Sequence, residues 1–186
     1  MRITGGTARG INLETGRRSD VRPATDMLRQ AVFSSLGEAV AGARVMDLFA
    51  GTGAYGLESL SRGAASVRFV ELDRSGVAAI GRNLVAVCKS MKADPALCRV
   101  EMGDVFALRP SGEKYDLIFA DPPYAMIAAK ARDILRVAAD NLAPAGLFVF
   151  EMPGSAGVVD ARFTLVKRLG KGRNDPSACV LRLVEE

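Results

Sequence analysis

Four consecutive residues, Asp121-Pro122-Pro123-Tyr124, follow the apolar run Tyr115–Ala120 and carry the most specific chemistry in the chain. Prolines have no N–H to donate, and two in succession make a stiff corner whose carbonyls stay available as acceptors. The Asp121 carboxylate and the Pro122 carbonyl can both accept from one –NH2 group. Pro123 keeps the corner rigid, and Tyr124 offers a flat face on which a base can stack, worth about 1–3 kcal/mol. An exocyclic amine on a base is a poor nucleophile, because the ring withdraws its lone pair. Acceptors placed out of the ring plane favour the pyramidal nitrogen that develops as it attacks, and so stabilise the transition state more than the ground state.

A second group of residues would hold what the amine attacks. Asp47-Leu48-Phe49-Ala50-Gly51-Thr52-Gly53-Ala54-Tyr55-Gly56 leaves one strand and opens a helix. Gly51 and Gly53 suit a tight turn with backbone close to a ligand, and Gly56 suits close packing of helix on strand. Such a glycine pattern alone would serve several nucleotides. The acids narrow the choice. Asp47 sits before the glycines, where it suits a cationic aminoacyl group; Glu71 ends the next strand, where a carboxylate can accept ribose hydroxyls; Asp104 follows the third strand, within reach of an adenine amine. Three acids at three successive strand ends repel a diphosphate, whereas adenosine joined to a methionine sulfonium, as in S-adenosylmethionine, fits. Phe49, Ala50, Thr52, Leu72 and Val105 complete the candidate cofactor lining, with Asp121 at its edge.

These loops need strands that end at one rim of a sheet. The apolar rhythm predicts strands over 44–49, 66–72, 98–102, 115–120 and 146–151, separated by helices over 55–61, 75–91 and 128–141. Alternation of this kind implies a mostly parallel sheet with helices on both faces. Two final strands, 162–169 and 178–184, imply an antiparallel hairpin at one edge. Before the first strand, 25–36 reads as a helix with Thr25 as N-cap, and residues 3–13 as a small hairpin. The expected architecture is thus α/β with a seven-stranded sheet. Residues 1–23 form a basic arm facing nucleic acid, and 24–186 form one catalytic domain.

Composition bounds the rest. The 186 residues are 49% hydrophobic, enough for one sizeable core. The chain has no histidine, which excludes a histidine base or histidine-ligated metal, and no metal is expected. Cys88, Cys98 and Cys179 are scattered, as in a reducing compartment, and neither an apolar run of membrane-spanning length nor a signal segment is visible. A cytoplasmic monomer is expected. The net charge is +4, and the first 30 residues hold six arginines against three acids. Arg2, Arg9, Arg17, Arg18 and Arg22 are the candidate nucleic-acid contacts. A second basic cluster gathers Lys167, Arg168, Lys171 and Arg173.

Both loops together resemble amino-directed, Rossmann-like class I methyltransferases, whose hallmark is Asp or Asn, two prolines, then Tyr or Phe. The whole length is more specifically similar to the bacterial RsmD family. The similarity runs from Arg2-Ile3-Thr4-Gly5-Gly6 and Arg9-Gly10 through Arg22-Pro23-Ala24-Thr25-Asp26, Asp47–Gly56 and Leu57–Ala64 to Phe69–Asp73 and Asp121–Tyr124. It implies methyl transfer from S-adenosylmethionine to N2 of a guanine in 16S ribosomal RNA, with the RNA or the small subunit as partner. It also implies cofactor contacts at Asp47, Gly51, Gly53, Glu71 and Asp104, and amine contacts at Asp121, Pro122 and Tyr124. Gln30, Ala24 and the turn 170–176 depart from the family pattern. An adenine-N6 methyltransferase would use the same corner, but a DNA enzyme would need a recognition region that the roughly 20 residues after Tyr124 cannot supply. A glutamine-directed protein methyltransferase would carry Asn at position 121. An inactive RNA-binding assembly factor would retain the fold alone.

Overall fold

A computed structural model describes residues 1–15, 23–109, 112–157, 160–170, 172 and 175–184. Seven strands form one sheet: β1 (Arg44–Leu48), β2 (Ser66–Glu71), β3 (Cys98–Met102), β4 (Tyr115–Ala120), β5 (Leu142–Pro153), β6 (Phe163–Leu169) and β7 (Pro176–Leu183). Their spatial order is β3-β2-β1-β4-β5-β7-β6. The first five run parallel, and β7 pairs antiparallel with both β5 and β6. This is the architecture the alternation implied, edge hairpin included. Winding reverses at β1, which lies between β2 and β4.

Among the described residues four α-helices cover the sheet: α1 (Pro23–Leu36), α2 (Ala54–Ser61), α3 (Arg74–Met91) and α4 (Tyr124–Asn141). One apolar cluster joins Val32 and Phe33 of α1, Leu57 and Leu60 of α2 and Ile80 and Val87 of α3 to Val45, Phe69 and Phe119 of the sheet. The other seats Ile134, Leu135 and Ala138 of α4 on Met46, Ile118, Phe148 and Phe150. Alternate residues of each strand therefore enter opposite cores, as a two-period pleat requires. No helix among the described residues is long and apolar enough to cross a membrane.

Several boundaries depart from the sequence reading. Helix α1 begins at Pro23, so Thr25 lies inside its first turn and is not the N-cap; proline is well suited to that opening position because its missing N–H would be unpaired there anyway. Helix α4 begins at Tyr124 instead of 128, directly after Pro123, whose extended backbone (φ −53°, ψ 130°) caps it. Tyr124 thus stands on the first turn of a helix. Strand β5 starts at Leu142, with no loop after α4. The first segment does fold back on itself, through an antiparallel bridge of Arg2 with Asn12 and hydrogen bonds from Ile3 N to Ile11 O (2.9 Å) and from Leu13 N to Met1 O (3.0 Å).

That first segment is tied into the core. Ile3, Ala8 and Leu13 are buried with α1 and α2. Beneath them lies Glu58, fully buried, whose carboxylate accepts from Thr4 N (2.8 Å), Thr4 Oγ1 (2.7 Å), Arg62 Nη2 (2.9 Å) and Arg29 Nε (3.4 Å). Arg29, itself buried, also donates to the Arg2 carbonyl and to Asp26. A buried charge costs several kcal/mol unless partners surround it, and removing one partner strands the others. We expect Glu58→Ala to lower unfolding free energy by about 3–5 kcal/mol in urea titration, far beyond an exposed acid such as Glu38.

Candidate active site

Strands β1 and β4 pair in register, Leu48 opposite Ala120, so Phe49–Gly53 and Asp121–Tyr124 leave the sheet side by side. The first of these turns back at once. Phe49 (φ 58°), Gly51 (φ 56°) and Gly53 (φ 82°) all have left-handed backbone. For a bulky side chain such as Phe49 that conformation is strained by about 1–3 kcal/mol, and strain of this kind collects at ligand-binding turns. A Cβ built on Gly51 would meet only the Phe49 carbonyl, at 3.9 Å, so the space above the turn is open. Gly56 serves packing, as expected: a Cβ there would collide with the Phe69 ring.

The acids hold this turn in shape. Glu71 accepts from Gly51 N (2.6 Å) with one oxygen and from Asp73 N (2.8 Å) with the other. Asp47 is buried and accepts from Gly56 N (2.9 Å). Burial raises its pKa well above the ordinary carboxylate range; the Gly56 N–H opposes this, and the charges of Asp121 and Glu71 add to it. Asp104 is exposed and caps a short turn by accepting from Phe106 N (2.9 Å). Carboxylate acceptors beside an open glycine turn suit a ligand rich in hydroxyls and positive charge.

The remaining candidates divide. Leu72 is exposed beside Glu71, and Thr52 is half-buried with its carbonyl accepting from Asn83. Ala50 and Val105 are buried, Val105 within the core under α4. Phe49 meets Phe106 edge-on with ring centroids 5.9 Å apart. Pro122 is buried, Asp121 and Pro123 are exposed, and Tyr124 is half-buried. Arg2 and Arg9 are exposed, whereas Arg17, Arg18 and Arg22 lie outside the described residues, as do Lys171 and Arg173 of the second basic cluster. Arg168 of that cluster is turned to structural use: its Nη2 donates to the carbonyls of Gly154 (2.9 Å) and Ala156 (2.8 Å).

Sequence reasoning missed four residues here. Glu151 of β5 lies one rung beyond the paired Ala120 and Phe150, level with Asp121, and accepts from Tyr55 Oη (2.8 Å). Burial pushes its carboxyl up to about 8, helped by the charge of Asp121 and opposed by the Tyr55 hydrogen bond and Arg29. Tyr55 stacks on Phe119 with centroids 4.9 Å apart. Gly76 lets α3 approach, since a Cβ there would crowd Glu71 Cγ (2.8 Å) and the Gly51 carbonyl (3.0 Å). Asn83 ties the turn to the amino-terminal segment: it donates to the carbonyls of Thr52 (3.0 Å) and Glu14 (3.1 Å) and accepts from Glu14 N (2.7 Å). A glycine in the first turn of α3 was a usable signal for Gly76; the others needed coordinates.

Two hollows open at the opposite edge of the sheet, one bordered by Asp116 and Arg182, the other by Arg44, Arg68 and Arg99. Arg44 there pairs with Asp116, and Arg68 and Arg99 pair with Glu101, so these cations are engaged. Among the described residues no cluster of three or more His, Cys, Asp or Glu is placed to hold a metal ion.

Known proteins resemble this chain in sequence and fold. The family model described as Conserved hypothetical protein 95 matches residues 1–177. Ribosomal RNA small subunit methyltransferase D of Escherichia coli K12 is 36% identical over 124 residues, covering 67% of this chain and 60% of that protein. The protein of the same name from Haemophilus influenzae is 30% identical over 125 residues, covering 67% and 64%. The aligned stretch thus spans less than two thirds of either relative. The Escherichia coli yhhF structure superposes with a TM-score of 0.82 at 28% identity, covering 100% of this chain and 99% of that one.

The buried acid at position 47 gives a stability test. A carboxyl whose folded pKa is raised stabilises the fold in acid and loses that contribution as pH rises through the raised value. Asp47→Asn keeps an acceptor for Gly56 N and removes the charge. Its melting temperature should exceed the wild type's by about 2–8 °C at neutral pH, with the gap closing in acid. A gap independent of pH would contradict the assignment.

Proposed function

Because the chain belongs to the RsmD family, whose model is the one described as Conserved hypothetical protein 95, we propose that it methylates an exocyclic amine of ribosomal RNA using S-adenosylmethionine, the amine being N2 of a guanine. The observation that carries this reading is the side-by-side exit of the Gly51–Gly53 turn and the Asp121–Tyr124 corner from paired strands. One loop holds a methyl donor, the other a nucleophile, and the register brings them together.

S-adenosylmethionine supplies a methyl group already activated by its sulfonium, so the protein's work is positioning and electrostatics. Asp47, Glu71 and the open face of Gly51 hold the cationic ligand, with Glu71 aimed at the ribose and the exposed Leu72 against the adenine. The Asp121 carboxylate and Pro122 carbonyl accept the two amine hydrogens and turn the nitrogen lone pair towards the methyl group. Tyr124, held on the first turn of α4, stacks on the base. Once the new bond forms, the nitrogen proton leaves through Asp121 to water. The exposed arginines of the amino-terminal arm, Arg2 and Arg9, with Arg17, Arg18 and Arg22, meet the RNA backbone. Residues 1–23 serve as the RNA-facing part and 24–186 as the transfer domain of a cytoplasmic monomer.

Two outcomes test this. Asp121→Ala should abolish transfer from tritiated S-adenosylmethionine to small-subunit RNA while S-adenosylhomocysteine still binds in calorimetry; full activity in the variant would refute the role. Charge reversal at Arg9 should weaken RNA binding and reduce the slope of log affinity against log salt by about one, as expected for one lost phosphate contact. Nucleoside analysis of ribosomal RNA from cells lacking the protein identifies the base, and N6-methyladenine lost in place of N2-methylguanine would redirect the specificity.

A further inference from the structure

We infer that Glu151 is a positioning residue for the amine, placing a second ionisable carboxyl beside Asp121 so that the corner carries one or two negative charges as the nitrogen turns positive. The inference rests on the methyl-transfer reading above. Strands β4 and β5 pair in register from Leu117–Leu147 to Ala120–Phe150, which sets Asp121 and Glu151 on the next rung. Glu151 is 5% exposed and bonded to the Tyr55 hydroxyl, so it lies behind Asp121 and acts on the amine by its charge and not by contact.

The groups facing Glu151 are few. Tyr55 approaches from α2, Arg29 from α1 and Asp121 from the end of β4, while its partner on β7 is the uncharged Ala178. Arg29 is already shared among Glu58, Asp26 and the Arg2 carbonyl. Two acids sharing one rung of neighbouring strands resist ionising together, and the more buried one keeps the proton. Burial and the Asp121 charge thus leave Glu151 protonated at neutral pH and ionised above about 8. During transfer the nitrogen lone pair forms the N–C bond, the carbon–sulfur pair returns to sulfur, and positive charge moves from sulfur to nitrogen until the amine proton departs. An ionised Glu151 stabilises that charge as it arrives. A cationic ligand in the same groove favours the ionised form, so the midpoint in the complex falls at or below the ligand-free value.

The test is a single-turnover pH profile with small ribosomal subunits from cells lacking the protein. Wild-type rate should rise on the order of fivefold between about pH 6 and about pH 9, the effect of one charge a few ångströms away at an intermediate dielectric. Glu151→Gln, which keeps an acceptor for Tyr55, should give a flat profile. Tyr55→Phe removes a hydrogen bond that favours the carboxylate and should move the rise to higher pH. Parallel wild-type and Glu151→Gln profiles would overturn the inference and leave methyl transfer standing, whereas a wild type inactive at every pH removes both. Should Glu151→Gln fail to fold, the carboxylic-acid infrared band that remains in Asp47→Asn, lost over the same pH range as the wild-type rate rises, supports the inference. A band unchanged across that range defeats it.

Discussion

The pairing of β1 with β4 is the contact on which the rest of the molecule depends. Strands β2 and β3 lie on one side of β1 and β4 on the other, so the loops after β1 and β4 leave the same end of the sheet where the winding reverses. Leu48 and Ala120 end their strands on the same rung, so neither loop has to reach for the other. The strain at Phe49 and the double proline after Asp121 are the local means by which each loop turns immediately at the rim. Displacing either strand by one residue would turn its core side chains to the wrong face and carry its loop out of line.

Acids converge at that rim, and the protein treats them in two ways. Glu58, away from the groove, is surrounded by two guanidinium groups and a threonine, and serves as a fixed joint between the first segment and α2. Asp47 and Glu151 are buried with only neutral donors bonded to them, Gly56 N and Tyr55 Oη. Ionising either one therefore costs stability, and burial pushes both towards the neutral form. The contrast separates an acid surrounded by cations from acids whose hydrogen bonds come from neutral donors.

How much of this was legible beforehand follows from the range of each signal. The strands β1, β3 and β4 and the two glycine- and proline-marked loops were readable because apolar runs and turn residues are local. Helix α4 opens four residues before the apolar rhythm predicts, because Pro123 caps a helix that starts on Tyr124 directly after the stiff corner. Glu151 looked like the ordinary end of an apolar strand; its meaning came from the parallel register with β4 and from a tyrosine 96 positions away in the chain. The basic residues read as two clusters, one at each end of the chain, yet Arg29 is buried in the Glu58 joint and Arg168 braces the loop after β5. Charge counts are visible in a sequence, but the partners that consume the charge are not.

Asn83 shows what such partnerships demand of inheritance. Its one amide satisfies both backbone groups of Glu14 and a carbonyl of the glycine turn, so two segments far apart in the chain lean on a single side chain. A chimera that borrowed the first fifteen residues from a distant homologue would have to bring a matching residue on α3 as well. Recombination between such genes would therefore preserve these pieces as a set, and the boundary of the smallest exchangeable module runs through the middle of a helix.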